Sequence, residues 1–165
     1  MKIMVACDHG GYELKEKILP HLHDQGYEIE DIGVHSPESC DYPLYAVRVG
    51  RTVAAGEVNR GILICGSGVG MCIAANRIPG VRAVQASEPF LAKMSRRHND
   101  SNVLCLGGRF IGPDLALEVV NVWLQEPFDG GRHQRRVDLI DSLSSNAAGS
   151  ESVSLTGKLG QKAYN

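Results

Sequence analysis

The sequence predicts an α/β fold, and two observations carry the prediction. Short apolar segments of strand length alternate five times with segments whose apolar residues recur at helical spacing. This alternation is typical of parallel strands joined by right-handed crossovers, with helices on both faces of the sheet. The central segment, residues 61–65, carries no charge inside its apolar run, as expected for a strand buried on both faces. We therefore predict a three-layer αβα sandwich around a five-stranded parallel sheet, Rossmann-like in architecture.

The first three elements follow from local pattern. Residues 2–7 form an apolar strand that Asp8 interrupts. Residues 12–25 place their apolar side chains on one helical face, and Gly26 then ends the helix. Residues 27–32 alternate apolar with acidic side chains, which indicates a strand at the edge of the sheet.

The middle of the chain is built around a glycine-rich loop. A helix is predicted over residues 42–56, because its proline stands in the first turn, where proline is tolerated. The central strand, residues 61–65, leads into the loop 66–70. A helix-forming stretch follows at residues 71–76.

The last third repeats the alternation. Strands are predicted over residues 81–86 and 102–106, and helices over 89–97, 114–125 and 130 to about 143. Residues between the fourth helix and the last strand are polar and predict a turn.

The 165 residues indicate one folded domain, residues 1–143. From residue 144 the composition shifts to Ser, Asn, Gly and Ala without a hydrophobic period. Residues 144–165 are therefore predicted to be a polar C-terminal extension, not a second domain.

Charge and cysteine content exclude several classes of protein. A net charge of −2, with 22% charged residues, gives no electrostatic reason to expect a nucleic acid or a charged membrane as partner. No apolar run approaches the roughly 20 residues of a membrane helix, and the N-terminus is typical of a strand, not a signal peptide. Five cysteines without a C-x-x-C pair predict reduced thiols in a cytoplasmic protein and no metal site.

The strongest functional signal is the loop after the central strand. Cys65 ends the strand, and Gly66, Gly68 and Gly70 alternate in the loop that leads into a helix. Glycines bring backbone N–H groups close to a ligand, and the start of a helix favours negative charge. A thiolate forms more easily in such a field than in water.

Several interpretations of this loop compete. The dinucleotide fingerprint needs a glycine where Met71 stands, and a cysteine phosphatase would need an arginine that residues 66–72 lack. In a third interpretation, Cys65 removes a proton from carbon while the loop N–H groups hold the oxyanion. A tight turn with an inert buried thiol is the non-functional alternative. The alternating glycines and the Ser67 hydroxyl favour a site.

Two further polar groups suit a phosphorylated ligand. Asp8 and His9 follow the first strand. Either Asp8 caps the next helix and His9 is exposed, or Asp8 holds a sugar hydroxyl and His9 a phosphate. They converge with Cys65 if the first and third strands are neighbours. Arg132 and Arg136 share a helix face and suit a phosphate, although a solvated charge run is the simpler interpretation of the pair alone.

His98 poses a geometric question. It precedes the last strand, so it lies at the amino ends of the sheet, whereas Cys65 lies at the carboxyl ends. A five-residue strand spans about 17 Å. If His98 is catalytic, we expect a second subunit to donate it. Otherwise it is a favourable cation at a helix C-terminus.

Together these stretches resemble one family. The segments ACDHGGYELK, DYP, GILICGSGVGMCIAANR, SRRHNDSNVLCLGGR and FDGGRHQRR occur in this order. They are similar to the type B ribose-5-phosphate isomerases, with the related galactose-6-phosphate isomerase subunits and allose-6-phosphate isomerases. The resemblance covers residues 2 to about 143.

The resemblance implies an aldose–ketose isomerisation of a sugar phosphate through an enediolate, without metal or organic cofactor, in a homodimer or tetramer with shared sites. Cys65 would be the base, Ser67 would assist, and His98 of a partner would open the furanose ring. The loop amides of Gly66, Gly68 and Gly70 would hold the enediolate oxygen. Further implied contacts are Asp8, Tyr42 and Asn99 to sugar hydroxyls, and His9, Arg109, Arg132 and Arg136 to the phosphate.

The chain departs from the family pattern beside the site. Gly10 stands where alanine is usual, and Cys72 where serine is common. Such neighbours set pocket size, so allose or galactose 6-phosphate stays open beside ribose 5-phosphate as the substrate. A sugar-phosphate-binding module without chemistry is the remaining alternative.

Overall fold

The computed structural model describes residues 1–146 of the chain, so most of the predicted polar extension, residues 147–165, lies outside the described residues. Strands and helices alternate as predicted. In chain order they are β1 (Lys2–Cys7), α1 (Tyr12–Asp24), β2 (Glu28–Asp31), α2 (Tyr42–Ala54), β3 (Arg60–Cys65), α3 (Val69–Ala75), β4 (Ala83–Gln85), α4 (Pro89–Asn99), β5 (Val103–Gly107), α5 (Pro113–Gln125) and α6 (Arg132–Asn146).

All strands of the sheet run parallel, in the order β2-β1-β3-β5-β4. This confirms the fold class, the edge position of β2 and the pairing of the first with the third strand. The chain winds outward from β1 to β2 in one direction and from β3 onward in the other. The winding therefore reverses between β1 and β3, which is where parallel sheets of this type bind ligands.

Successive strand side chains point to opposite faces, and each face has its own core. On one face Ile3, Ile62 and Leu104 pack with apolar residues of α1, α4 and α5, including the fully buried Trp123. On the other face Cys65 and further strand residues pack against α2 and α3. These two layers of helices complete the predicted αβα sandwich.

Several predicted boundaries are wrong for reasons outside local sequence. Helix α4 continues to Asn99, so His98 and Asn99 lie in its last turn and not in a polar turn. The helix ends only at Asp100, which has a left-handed backbone (φ 45°) and accepts hydrogen bonds from Arg82 and Arg96.

Strand β4 begins at Ala83, two residues later than predicted, and side chains accept from the amides at its start. The Arg82 N–H donates to the Asn102 side chain, and the Ala83 N–H donates to that of Asn76. Helix α6 continues to Asn146, three residues past the predicted end of the domain. No helix among residues 1–146 is both long and apolar enough to cross a membrane.

Candidate active site

The carboxyl ends of three neighbouring strands are joined by backbone hydrogen bonds. The Asp8 N–H after β1 donates to the Ile64 carbonyl of β3 at 3.1 Å. The Gly108 N–H after β5 donates to the Cys65 carbonyl at 2.8 Å. The loops that follow β1, β3 and β5 therefore form one surface, and the predicted convergence of Asp8 with Cys65 is confirmed.

This surface contains a cleft of about 480 Å³, within the range of small-molecule sites. Apart from Val69, its lining consists of residues that the sequence predicted for the site. The lining residues are Asp8, Tyr42, Cys65, Gly66, Ser67, Val69, Gly70 and Arg109.

Cys65 lies at the floor of the cleft. Only 4% of the residue is exposed, yet it lines the cavity, which argues against an inert thiol sealed in a turn. Its Sγ accepts a hydrogen bond from the Gly68 N–H at 3.2 Å. Gly68 has a φ of 78° as the N-cap of α3, a conformation that glycine adopts without strain. The amide therefore stabilises negative charge on the sulfur.

Helix α3 begins at Val69, two residues earlier than predicted, so Gly70 belongs to its first turn. The exposed Ser67 stands just before this turn, where its Oγ accepts from the Val69 N–H at 3.3 Å. The first amides of a helix have no backbone partner within it, so this turn favours negative charge.

Asp8 does not cap α1 directly, which corrects one sequence interpretation, because the N-cap is Gly11. Its Oδ1 instead accepts from the N–H groups of Gly10 at 2.8 Å and Gly11 at 3.1 Å. These bonds fix a nearly buried carboxylate in the wall of the cleft. Its geometry suits hydrogen bonding to a sugar hydroxyl.

His9 lies outside the main cleft, in a smaller adjoining cavity of about 190 Å³. Arg109 lines both cavities and so connects them. The His9 Nδ1 accepts from the Cys40 N–H at 3.4 Å, which leaves Nε2 to carry the proton of a neutral ring. His9 and Arg109 thus offer donors at one end of the cleft.

Two glycines of the loop make room for side chains of the site. A Cβ atom at Gly66 would come within 3.4 Å of Arg109 Cδ, so the arginine lies over this glycine. A Cβ atom at Gly70 would come within 2.7 Å of the Tyr42 ring. Tyr42 and Arg109 therefore flank the loop because it lacks side chains there.

The structure does not bring the remaining predicted residues to this cleft. Cys65 is paired with Gly107 at the carboxyl end of β5, whereas His98 ends α4 before β5 begins. We call the residues at this opposite end of the sheet the amino-edge cluster. Its members are His98, Asn99, Arg132, His133 and Arg136.

His133 is a member of this cluster that the sequence analysis missed. Its ring stacks on that of His98, with centroids 4.3 Å apart and planes 3° apart. The Arg132 Nε–H donates to the His133 Nε2 at 3.4 Å. The only sequence signal was its position between two arginines, and this does not reveal a partner on α4.

His98, Asp129 and His133 also place possible metal ligand atoms within 4.8 Å of one another. The Asp129 carboxylate, however, is held by the Arg97 Nε at 3.0 and 3.1 Å, and His133 Nε2 faces Arg132. Parallel rings direct their nitrogen lone pairs side by side and not at one point. The arrangement of His98, Asp129 and His133 therefore suits a stacked pair of rings better than a metal-binding site.

The thiols outside the cleft differ in reactivity. Burial raises the pKa of Cys7 to about 12, so it is an inert core residue. A hydrogen bond with Cys105 lowers the pKa of Cys72 to about 7, while burial raises the pKa of Cys105. All five cysteines are free.

Comparisons with known proteins point in one direction. The model of the family described as Ribose/Galactose Isomerase matches residues 3–140. Ribose-5-phosphate isomerase B of Escherichia coli (strain K12) is 51% identical over 142 residues, which are 86% of this chain and 95% of that protein. D-erythrulose-4-phosphate isomerase of Pectobacterium atrosepticum is 36% identical over 141 residues, covering 85% and 93%.

A solved structure agrees with these relatives. Clostridium thermocellum ribose-5-phosphate isomerase B superposes with a TM-score of 0.87 at 48% identity, covering 89% of this chain and 99% of that one.

Proposed function

From the premise that the chain belongs to the ribose/galactose isomerase family, we propose that it interconverts ribose 5-phosphate and ribulose 5-phosphate. One observation carries the mechanism: a sulfur at the floor of a cleft, 3.2 Å from a loop amide. Proton transfer next to a carbonyl requires a base and donors for the developing oxyanion. Cys65 and the loop after it supply both.

In the proposed reaction the Cys65 thiolate removes the C2 proton of the open-chain aldose. The electron pair of the C–H bond forms the C1–C2 double bond, and the carbonyl pair moves onto O1. The amides of Gly66 to Gly70 hold this enediolate oxygen, and the Ser67 hydroxyl assists. The thiol then returns its proton to C1, while the hydroxyl proton of O2 moves to O1 and the electron pair left on O2 forms the C2 carbonyl, which gives the ketose without a net redox change and without a cofactor.

The residues around Cys65 are assigned to the hydroxyl groups and the phosphate of the substrate. Asp8 and Tyr42 contact sugar hydroxyls, because both line the cleft together with Cys65. His9 and Arg109 bind the phosphate, since they adjoin at one end of the cleft and a guanidinium matches a phosphate in two parallel hydrogen bonds.

Ring opening and part of the phosphate contact are assigned to a second subunit. His98, Asn99, Arg132 and Arg136 lie at the amino edge and cannot complete the cleft of their own chain. Val69 lines the cleft and is 50% exposed, and Ile73 follows one turn later at 56%. We propose that these apolar side chains are covered by another copy, in a homodimer or a tetramer, whose amino-edge cluster completes the site.

We also propose that the protein acts in the cytoplasm. The five cysteines are free, and the cytosol keeps thiols reduced.

Chemistry and ring opening can be tested separately. Ribulose 5-phosphate remains acyclic because the oxygen on C5 carries the phosphate, so deuterium uptake at its C1 in D2O reports proton transfer alone. Cys65→Ala should abolish both this exchange and turnover of ribose 5-phosphate. His98→Asn should lower turnover of ribose 5-phosphate by about 10²-fold and leave the exchange largely intact.

Cys72→Ala is the matched control. The sequence suggested that Cys72 helps to set the size of the pocket, but its thiol lies on α3 and does not line the cleft. It should behave as the wild type in both reactions. Normal exchange in folded Cys65→Ala protein would remove the proposed base. Equal losses of both reactions in His98→Asn would remove the ring-opening role.

Shared sites predict complementation. Inactive Cys65→Ala and His98→Ala proteins, mixed under conditions that exchange subunits, should recover up to about a quarter of wild-type turnover of ribose 5-phosphate, because each mixed dimer carries one intact site. Mass spectrometry of differently labelled chains would verify the exchange. No recovery after verified exchange would place both groups in one chain.

A related substrate is the second candidate. The relative from Pectobacterium is named for a four-carbon sugar phosphate, so family members differ in substrate. A turnover panel of ribose 5-phosphate, erythrulose 4-phosphate, allose 6-phosphate and galactose 6-phosphate ranks them by kcat/KM. Thermal stabilisation by these ligands without turnover of any would instead indicate a binding module.

A further inference from the structure

The amino-edge cluster contains a histidine that the proposed reaction does not use. His133 is 8% exposed, whereas its stacking partner His98 is more open to solvent. The two rings come from different helices, α6 and α4, and are within 3° of parallel. A face-to-face contact of this kind restricts rotation of both rings, because a tilt of either one brings it into the other.

The hydrogen bond from Arg132 fixes the state of the inner ring. Because the Arg132 Nε–H donates to the His133 Nε2, that nitrogen is an acceptor and carries no proton. The proton of the neutral ring is therefore on Nδ1. The backbone of His133 is also fixed, since its N–H donates to the Gly130 carbonyl at 3.0 Å.

The charges around the pair keep His133 neutral. Burial lowers the pKa of His133, and positive charge on His98, Arg132 and Arg136 lowers it further, against the opposing effect of Asp129. The Asp129 carboxylate is itself paired with Arg97 on α4, which also lies near Glu126 at the end of α5. Two imidazolium rings 4.3 Å apart would repel each other. A charge on both rings at once is therefore unfavourable, and the buried His133 is the ring that stays neutral.

We propose that His133 is a positioning residue for His98: a neutral, immobile ring that holds the His98 ring in the orientation needed to exchange a proton with the oxygen of the furanose ring. This inference rests on the proposed function, in which His98 opens the sugar ring. His133 does not touch the substrate in this arrangement. It acts through the stacking contact and accompanies His98 into the site of the neighbouring subunit.

The test compares a cyclic with an acyclic substrate. In full-length His133→Ala, kcat for ribose 5-phosphate should fall by about tenfold or more, because the His98 ring loses its support. Deuterium exchange at C1 of ribulose 5-phosphate should stay within about twofold of the wild type, since no ring has to open. His133→Phe keeps a flat ring and should recover most of kcat.

Gln134→Ala is the matched control. Gln134 is the next residue of α6 and is exposed, and its side-chain amide donates to Asp138 of the same helix at 2.8 Å. It should leave both reactions unchanged. Thermal unfolding of each variant establishes that it is folded, and His133→Leu, which fills the site without a flat ring and should show the same selective loss, replaces His133→Ala if the alanine variant is not folded.

The outcomes separate this inference from the function on which it depends. Equal losses of both reactions in His133→Ala, or none, would overturn the positioning role. So would a His133→Phe protein as impaired as His133→Ala. If His98→Asn itself keeps wild-type turnover of ribose 5-phosphate, the proposed role of His98 fails first. If only His98→Asn is impaired, the proposed function stands and the positioning role is lost.

Discussion

Replacing Gly70 with alanine should reduce activity without reducing stability. Gly70 is in the first turn of α3, and it is not among the glycines with positive φ, so alanine can adopt its backbone conformation. The new Cβ atom, however, would lie 2.7 Å from Cζ, 2.8 Å from Cε2 and 2.9 Å from Oη of Tyr42. Carbon atoms in ordinary contact are about 4 Å apart. The tyrosine ring must therefore retreat by about 1 Å.

The expected size of the effect follows from this displacement. Tyr42 is the exposed first residue of α2, so its ring can move without opening the core. Alanine is favoured over glycine in a helix by up to about 1 kcal/mol, which offsets residual strain. A misplacement of about 1 Å in a substrate-positioning group costs about 10²-fold in rate, or about 2.7 kcal/mol.

The assay is the initial rate of ribulose 5-phosphate formation from ribose 5-phosphate, with thermal unfolding measured in parallel. Gly70→Ala should lower kcat/KM by about tenfold to 10²-fold at an unchanged or higher unfolding temperature. Gly112→Ala is the control, because a Cβ atom there meets nothing within 4 Å. In a Tyr42→Ala background Gly70→Ala should add little. Wild-type kcat/KM in Gly70→Ala, or a full loss in that background, would refute the reasoning.

Two further predictions concern stability. The fully buried Lys15 donates to Asp31 at 2.6 Å. Lys15→Met leaves this carboxylate poorly solvated and without its partner, so it should lower the free energy of unfolding in urea by about 3 kcal/mol. Adding Asp31→Asn should recover at least half of that loss, and an unchanged free energy of unfolding in Lys15→Met would contradict the prediction. The pKa of His133 is lower in the folded chain than its ordinary 6.5, so its contribution to stability is complete above about pH 6.5 and is lost as the pH falls through the folded value. Urea unfolding at pH 7.5 and 5.0 should therefore show a smaller acid-induced loss in His133→Phe than in the wild type, and equal losses would show that His133 does not titrate as described.

The architecture could be predicted because it depends on patterns within short segments. The uncharged run that ends at Cys65 and the alternating segment at the second strand indicate a central and an edge strand without further information. The ends of α4 and β4 could not be predicted in the same way. They are set by hydrogen bonds of Arg82, Arg96 and Asn102 to residues that become neighbours only in the folded chain.

The same distinction applies to the site. Asp8 and Cys65 each follow a strand, so parallel topology alone brings them to one edge, and the glycine loop marks that edge as a place for an anion. The start of α3 was misplaced because glycines are poor helix formers, whereas here Gly70 lies inside the first turn. His133 was missed because its contact with His98 depends on how α6 packs against α4, which no local pattern encodes.

The separation of the two polar clusters makes assembly part of the proposed chemistry. Along the strand, β5 spans about 17 Å between the edge where Cys65 lies and the edge from which His98 projects. Of the described residues lining the cleft, Arg109 alone carries a guanidinium group, whereas the amino-edge cluster carries two, Arg132 and Arg136. A phosphate dianion is held better by several such groups than by one. Under the proposed mechanism, an isolated chain has the proposed base but lacks the proposed ring-opening group and most of the proposed phosphate contacts. In the proposed dimer each chain supplies what the other lacks, and the exposed Val69 at the mouth of the cleft lies where the two copies would meet.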